Sequence, residues 1–170
     1  MSLLNTTNPI ALRALMSETI FGIEPLSSAV ALEEPELKAG PMEIRSMGAN
    51  RKNILFITES ADNEFFSQDA ELAFIKTLGA LKLDIQDVAV VNCAAETSQT
   101  SFDRLNKEFS PRVCVFLGID PRKLGLNNFA LNILWQESNT EFLYSFSFEE
   151  MLNETAKKKL FWETIKLMNF

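Results

Sequence analysis

The sequence predicts a three-layer α/β/α domain with a central parallel sheet of about four strands. Short apolar runs of strand length alternate along the chain with longer segments whose apolar residues have helical spacing. Such alternation requires right-handed crossovers between parallel strands, which places helices on both faces of the sheet. Because 46% of the 170 residues are hydrophobic, the chain can bury one sizeable core. We expect the first and third strands to be neighbours.

The predicted strands are four apolar runs that polar or turn residues terminate. The first lies within residues 52–60, where consecutive apolar residues lead into a polar loop. The others are residues 88–92, 113–117 and 141–146. A nearly continuous apolar run is typical of a strand that is buried on both faces in a parallel sheet.

Helical spacing predicts three helices and one short helical turn in the same region. Residues 67–83 carry acids early and lysines late, which suits the helix dipole. Residues 101–109 form the second helix, Pro121 opens a short one, and residues 148–168 form a final helix that faces the core. Residues 127–140 remain open between strand and helix, because periodicity cannot decide over so short a run.

Residues 1–50 are predicted to form an N-terminal amphipathic helix and a linker or strap, and residues 51–170 the domain. An Asn-Pro pair supplies an N-cap and a proline at the first helical position, and apolar residues then follow at near-helical spacing to residue 22. Residues 23–50 contain prolines, glycines and acids without a sustained period. The helix either packs on the core or docks on a partner protein. The candidate partner-binding residues are Leu15, Ile20, Phe21 and Ile23.

Composition excludes several functional classes. A net charge of -7 argues against a protein that coats nucleic acid by neutralising phosphates, although it leaves a local basic patch open. The absence of histidine removes Ser-His-Asp and Cys-His catalysis. Cys93 and Cys114 lie in or beside apolar runs and are predicted to be buried thiols rather than a disulfide. We expect no cofactor. No run approaches the about 18 apolar residues of a membrane span, and we therefore expect a cytoplasmic protein without a membrane partner.

The first candidate site is the polar loop at residues 58–60, because ligands of parallel α/β sheets bind at the carboxyl ends of the strands. Three acids follow the loop: Asp62, Glu64 and Asp69. They could bind a metal or act as acid and base, or they could be solvated acids near the start of a helix. Gly118 belongs to no phosphate-binding motif and is predicted to be a turn glycine. Lysines 157–159 are predicted to form a solvated helix face.

From residue 53 to residue 168, the order of segments resembles the uracil-DNA glycosylase superfamily. Residues 105–118, LNKEFSPRVCVFLG, look like the helix, proline, buried strand and Leu-Gly turn of that superfamily. Residues 57–60 lie where its Gly-Glu-x-Pro-Gly loop would be, with the glutamate in common. Asn92 falls where the family often has an asparagine, and residues 144–147 take the place of its His-Pro-Ser loop, with the last serine in common.

This resemblance implies the fold without the activity, because the departures fall on the residues that hold and flip a base. The catalytic histidine is missing, and two cysteines cannot hold the four-cysteine iron–sulfur cluster of some members. We therefore expect no catalytic residues and a vestigial pocket at the strand ends. Its candidate residues are Thr58, Glu59, Ser60, Asp62, Asn92, Gly118, Ser145 and Ser147.

The layout is similar to that of one non-catalytic branch, the psi subunits of the bacterial DNA polymerase III clamp-loader complex. In that family a short N-terminal segment binds the loader, and a degenerate glycosylase-like domain binds the chi subunit. The likeness here lies in residues 19–23, TIFGI, ahead of a linker, and in residues 153–162, NETAKKKLFW, of the last helix. It implies a non-enzymatic adaptor in bacterial DNA replication that binds protein partners, clamp-loader subunits among them, with binding of nucleic acid left open.

Two other functions stay open at this point. One is a divergent nucleic-acid glycosylase that uses Glu59 or Asp62 to position water, and the other is an inactive glycosylase-like domain with a different role. The pocket at the strand ends distinguishes the enzyme from the adaptor. A deep polar cleft wide enough for a base favours the enzyme, whereas filling by Phe65, Phe66 or Phe146 favours the adaptor.

Overall fold

Four parallel strands form the centre of a six-stranded sheet in the computed structural model, which describes residues 44–94, 100–127 and 129–170. They are β2 (Ile54–Thr58), β3 (Val88–Asn92), β4 (Val113–Leu117) and β6 (Thr140–Ser145). Their order in the sheet is β3-β2-β4-β6, so the first of the four lies between the second and the third. The predicted parallel centre, and the predicted pairing of the first buried run with the third, are confirmed.

Two antiparallel strands extend the sheet beyond the four that the sequence predicts. β1 (Ser46–Met47) pairs with β3, and β5 (Leu134–Glu137) pairs with β6. β1 falls inside the segment that was expected to be a linker or strap, and a two-residue strand has no period by which it could be recognised. β5 shows that part of the ambiguous region, residues 127–140, is a strand.

Four helices connect and flank these strands within the described residues. They are α1 (Gln68–Ala80), α2 (Phe102–Phe109), α3 (Phe148–Asn153) and α4 (Thr155–Ile165), with short 3-10 helices at Ile85–Asp87 and Pro121–Leu124. The hydroxyl groups of Ser67, Ser101 and Ser147 accept hydrogen bonds from main-chain N–H groups in the first turns of α1, α2 and α3. Such capping satisfies donors that a helix start otherwise leaves unpaired.

The prediction of a single helix over residues 148–168 is wrong, because the chain breaks between α3 and α4. Glu154 there has an extended conformation, with φ -128° and ψ 103°. At about 100° per residue, Phe148 and Phe161 would point about 140° apart on one straight helix. The break lets both rings enter the same hydrophobic cluster, where their centroids lie 5.7 Å apart.

Alternate residues along the buried strands belong to two different hydrophobic clusters, as the pleat of a strand requires. The first cluster contains Ile54, Phe56, Val88, Val90, Val113, Val115 and Leu143, packed with residues of α1, α3 and α4. The second contains Leu55, Ile57, Ala89, Val91, Cys114, Phe116 and Phe142, packed with residues of α2 and of the 3-10 helix at Pro121–Leu124. Burying a large apolar side chain of this kind contributes about 2 kcal/mol.

The cysteine prediction holds for one thiol of the two. Cys114 is fully buried in β4. Cys93, just beyond β3, is half-buried and packs against the second cluster. The difference follows from position, since a residue past the end of a strand leaves the covered part of the sheet.

The predicted N-terminal helix and most of the predicted strap lie outside the described residues. The same is true of the candidate partner-binding residues Leu15, Ile20, Phe21 and Ile23. The described residues from Ile44 onward belong to one compact unit. Among them, no helix has both the length and the apolar character that crossing a bilayer requires.

Candidate functional site

The carboxyl ends of the parallel strands bring several of the predicted site residues to one edge of the sheet. In the strand register, Thr58 of β2 lies opposite Asn92 of β3 and Leu117 of β4, and Leu117 lies opposite Ser145 of β6. We call these strand ends and the loop at residues 59–64 the strand-end edge. It is where a sheet of this kind offers a ligand site.

The amide of Asn92 holds the loop after β2 down onto this edge. Its Nδ2 group donates to the main-chain oxygens of Ser60, Asn63 and Glu64, at 2.8, 3.0 and 2.9 Å. Its Oδ1 atom accepts from the N–H groups of Ser60 and Ala94, both at 3.0 Å. An asparagine amide has two hydrogens and two acceptor lone pairs, so this side chain has no capacity left for a ligand.

The other two buried polar side chains at this edge are also engaged within the protein. The hydroxyl of Thr58 donates to the main-chain oxygen of Phe65 at 3.1 Å. The hydroxyl of Ser145, which is fully buried, donates to Oδ1 of Asn132 at 2.6 Å. Polar groups in such a position must be paired, because leaving one unpaired costs about 1–3 kcal/mol. Their pairing here serves the fold.

Gly118 and Ser147 form a tight contact beside Ser145. Gly118 has a φ of 72°, and its N–H donates to the main-chain oxygen of Ser145 at 2.9 Å. A Cβ atom on Gly118 would lie only 2.7 Å from Cβ of Ser147. The hydroxyl of Ser147 accepts from the N–H of Glu150 at 3.1 Å, as the N-cap of α3. The predicted turn glycine is thus also the point where the loop after β4 meets the loop after β6.

The predicted acidic residues do not form a common site. Nζ of Lys123 lies 2.7 Å from each carboxylate oxygen of Glu59, and this hydrogen bond raises the pKa of Lys123. Asp62, Glu64 and Asp69 are exposed. No group of three or more acidic or cysteine side chains in the described parts of the chain could hold a metal ion.

The phenylalanines that were expected to distinguish a closed pocket from an open one lie in or against the first cluster. Phe66 is buried, with its ring centroid 5.0 Å from that of Phe74 and 5.9 Å from that of Phe148. Phe65 and Phe146 are partly buried and pack against the same cluster. These contacts are with the core, and filling of a pocket at the strand-end edge by these rings stays a prediction.

An open cavity lies elsewhere, between α1 and the α3–α4 pair, with a volume of about 650 Å³. Its lining consists of Asp69, Leu72, Ala73, Lys76, Thr77, Ala80, Phe148, Met151, Leu152, Lys158, Phe161 and Trp162. We call this cavity the helical groove. None of the strand-end residues named above lines it. Sequence reasoning missed it, although the excess of apolar residues on α1 was a usable signal.

The surface of the helical groove is apolar and partly exposed to solvent. Leu72 is 52% exposed, Leu152 45% and Trp162 36%. Lys76 and Lys158 border these side chains, and neither forms an ion pair with another described residue. Asp69 is the acid of the lining. The groove therefore combines exposed apolar side chains with two positive charges that no described residue pairs, on a chain whose net charge is -7.

Comparison of the chain with models of known protein families finds no match, and comparison with curated protein sequences finds none either.

Proposed function

We propose that this protein is a non-catalytic adaptor that works by binding other proteins. In this proposal the domain is a three-layer α/β/α fold of the uracil-DNA glycosylase type whose pocket is vestigial. The protein acts in bacterial DNA replication, as a psi-like subunit of a clamp-loader complex in the cytoplasm. The parallel strand order and the two hydrophobic clusters support the fold part of the proposal.

The hydrogen bonding of Asn92 is the observation that carries the non-catalytic assignment. A glycosylase must take a flipped base into a pocket and read its polar edge with side chains that are free to pair. At the strand-end edge, the amide of Asn92 instead makes five hydrogen bonds, at 2.8 to 3.0 Å, to the main chain of its own loops. A base that entered there would have to displace these bonds without replacing them.

The alternative reading, a glycosylase that uses Glu59 or Asp62, receives no comparable support. The carboxylate of Glu59 is bound by Lys123. Asp62 is exposed to water. A water-positioning carboxylate works best in a desolvated site with a fixed geometry, and neither residue is in one.

Partner binding is assigned in the proposal to the N-terminal segment, through Leu15, Ile20, Phe21 and Ile23. Apolar side chains on one face of an amphipathic helix are typical anchors in grooves of other proteins. Truncating such an anchor commonly costs about 2 kcal/mol of binding free energy, which weakens binding tens of fold.

The experiment has two arms. The first measures release of uracil from a labelled oligonucleotide by the purified chain, and we expect none. The second measures binding to purified clamp-loader subunits by the full chain, by Phe21→Ala and by a chain that lacks residues 1–24. We expect the Phe21→Ala change to weaken binding tens of fold and the deletion to abolish it.

The two arms fail separately. Release of uracil above that of a heat-denatured sample of the same chain would refute the non-enzymatic assignment. Unchanged binding of clamp-loader subunits after the deletion would refute the role of the N-terminal segment. If Phe21 packs in the core instead, Phe21→Ala would lower the free energy of unfolding by about 3 kcal/mol and leave partner choice unchanged.

A further inference from the structure

We propose that the helical groove binds an amphipathic helix of a partner protein, with apolar anchors on one face and acidic residues beside them. The inference rests on the proposed role as a protein-binding adaptor. Its test uses no clamp-loader protein, however, so either proposal can fail while the other stands.

The apolar residues of α1 cover more of the helix than the core requires. Ala70, Phe74 and Leu78, four residues apart, are its buried stripe. A second face of the same helix lines the groove, and its apolar members are Leu72, Ala73 and Ala80, beside Asp69, Lys76 and Thr77. A surface helix normally has one apolar stripe, and apolar residues outside it indicate a second contact.

The opposite wall of the groove repeats this arrangement. On α3, Phe148 and Met151 enter the core while Leu152 stays exposed in the groove. On α4, Phe161 is buried and its neighbour Trp162 is partly exposed. Both walls thus present apolar side chains above buried aromatic rings. An open groove between two helical walls is the shape that receives a helix, whose anchors at i, i+3, i+4 and i+7 fill it.

The charge of the groove selects among possible helices. Lys76 projects from one wall and Lys158 from the other, and each lacks an ion-pair partner among the described residues. By contrast, the neighbouring Lys157 is paired with Glu150 and Glu154. Among the described residues of the lining, these two ammonium groups outnumber the one carboxylate, Asp69, and so complement a helix with acids on both flanks. They disfavour one with lysines there, because like charges across an interface are repulsive.

Trp162 provides a direct reporter of occupancy. The chain has two tryptophans, Trp135 and Trp162, and only Trp162 lines the groove. The variant Trp135→Phe leaves Trp162 as the single source of tryptophan fluorescence, and Trp162→Phe leaves Trp135 as a matched control. The probe is a synthetic, tryptophan-free helix of about 18 residues, since shorter isolated helices are marginal in water. It carries leucines at i, i+3, i+4 and i+7 and glutamates beside them.

We expect the acidic peptide to shift the emission of Trp135→Phe to the blue in a saturable way and to leave the emission of Trp162→Phe unchanged. A second peptide, with lysines in place of the glutamates, should bind about tenfold more weakly or not at all. The double change Lys76→Glu with Lys158→Glu should reverse this preference. Reversal would show that the charges select the partner, which loss of folding could not produce.

Two residues of α1 supply a matched pair for the apolar contact. Leu72 lines the groove, whereas Ile75 is similarly exposed, at 48%, but lies outside it. Leu72→Ser should weaken binding of the acidic peptide by about tenfold, and Ile75→Ser by less than about twofold. Circular dichroism at the same concentrations confirms that both variants are folded.

Four results would overturn the proposal. Equal binding of the acidic and basic peptides would refute the role of the lysines. Absence of any saturable shift in emission at about millimolar peptide would refute the site itself. Self-association of the full chain that Leu72→Ser abolishes in sedimentation equilibrium would make a second copy the occupant. Slow thiol labelling of Leu72→Cys in the free chain, compared with Ile75→Cys, would show that another part of the same chain covers the groove.

Discussion

The strand-end edge and the helical groove differ in how far their side chains are already bound within the chain. At the edge, the polar side chains of Thr58, Asn92 and Ser145 are all bound to groups of the same chain. In the groove, Leu72 and Trp162 stay exposed, and Lys76 and Lys158 form no ion pair with the part of the chain that the structure describes. The buried polar side chains at the place where the fold offers a ligand site are therefore engaged within the chain, whereas exposed apolar side chains lie on the helices.

This difference teaches that a fold and its usual site can separate. At the strand-end edge, polar groups of a type that could contact a ligand instead stabilise loops of the chain. Substitutions at this edge, and one at Cys114 in the core, should lower stability by amounts that range from about 3 kcal/mol to none.

Asn92→Ala should have the largest effect, lowering the free energy of unfolding by about 3 kcal/mol. It leaves three main-chain oxygens and one N–H group of the loop after β2, and the N–H group of Ala94, without their partner. The matched control is Asn63→Ala, an exposed residue of the same loop, which should cost less than about 0.5 kcal/mol. Urea denaturation measures both. Equal effects would mean that the amide of Asn92 does not hold the loop.

Gly118→Ala should cost about 2–3 kcal/mol, because strain from positive φ adds to a clash with Ser147 at 2.7 Å. Gly125→Ala isolates the strain, since Gly125 has a φ of 85° but no atom within 4 Å of an added Cβ. It should cost about 1 kcal/mol. The difference between the two midpoints in urea measures the contact between the loops after β4 and β6. No difference would contradict close packing at this point.

Cys114 predicts a pH dependence. Burial, with a smaller contribution from Cys93, raises the pKa of the Cys114 thiol well above its ordinary value. The folded thiol therefore stays protonated at pH values at which the unfolded thiol, with a pKa of about 8.5, is deprotonated. Stability is therefore full below about pH 8.5 and falls above it, by about 1 kcal/mol between pH 7 and pH 9.5. Cys114→Ala should lack this fall relative to the parent chain, and parallel curves would contradict the burial of the thiol.

The ion pair of Glu59 with Lys123 should have the smallest effect, because both side chains are substantially exposed and water screens their attraction. Glu59→Gln and Lys123→Met should each leave the urea midpoint unchanged within error. A shift of the urea midpoint as large as that of Gly125→Ala would show that this pair stabilises the edge. That stabilisation would then weaken as the salt concentration rises.

The parallel centre of the fold could be predicted because its buried strands are short, continuous apolar runs and the apolar residues of its helices have regular spacing. β1 could not be predicted, because two residues carry no period. β5 could not be predicted either, because three of its four residues are exposed and none is buried. The break at Glu154 escaped prediction because local spacing on each side of it is helical. Only the need for Phe148 and Phe161 to enter one cluster requires it.

The site was predicted only in part. The sequence located Thr58, Asn92 and Ser145 at a common edge, because parallel strands end together. It could not show that Asn92 bonds to the loop after β2, since four of its five partners are main-chain atoms of that loop, whose positions depend on the fold. The helical groove was missed because its walls come from residues about eighty positions apart.

The most direct test of the account maps two ligands on the same isotope-labelled full chain by NMR. One is the acidic amphipathic peptide, and the other is a single-stranded oligonucleotide that contains uracil. We expect the peptide to shift the amide signals of α1, α3 and α4, including Leu72 and Trp162, and the oligonucleotide to leave residues 58–64 and Asn92 unchanged. Uracil-dependent shifts at the strand-end edge, with none in the helical groove on addition of the peptide, would contradict the account.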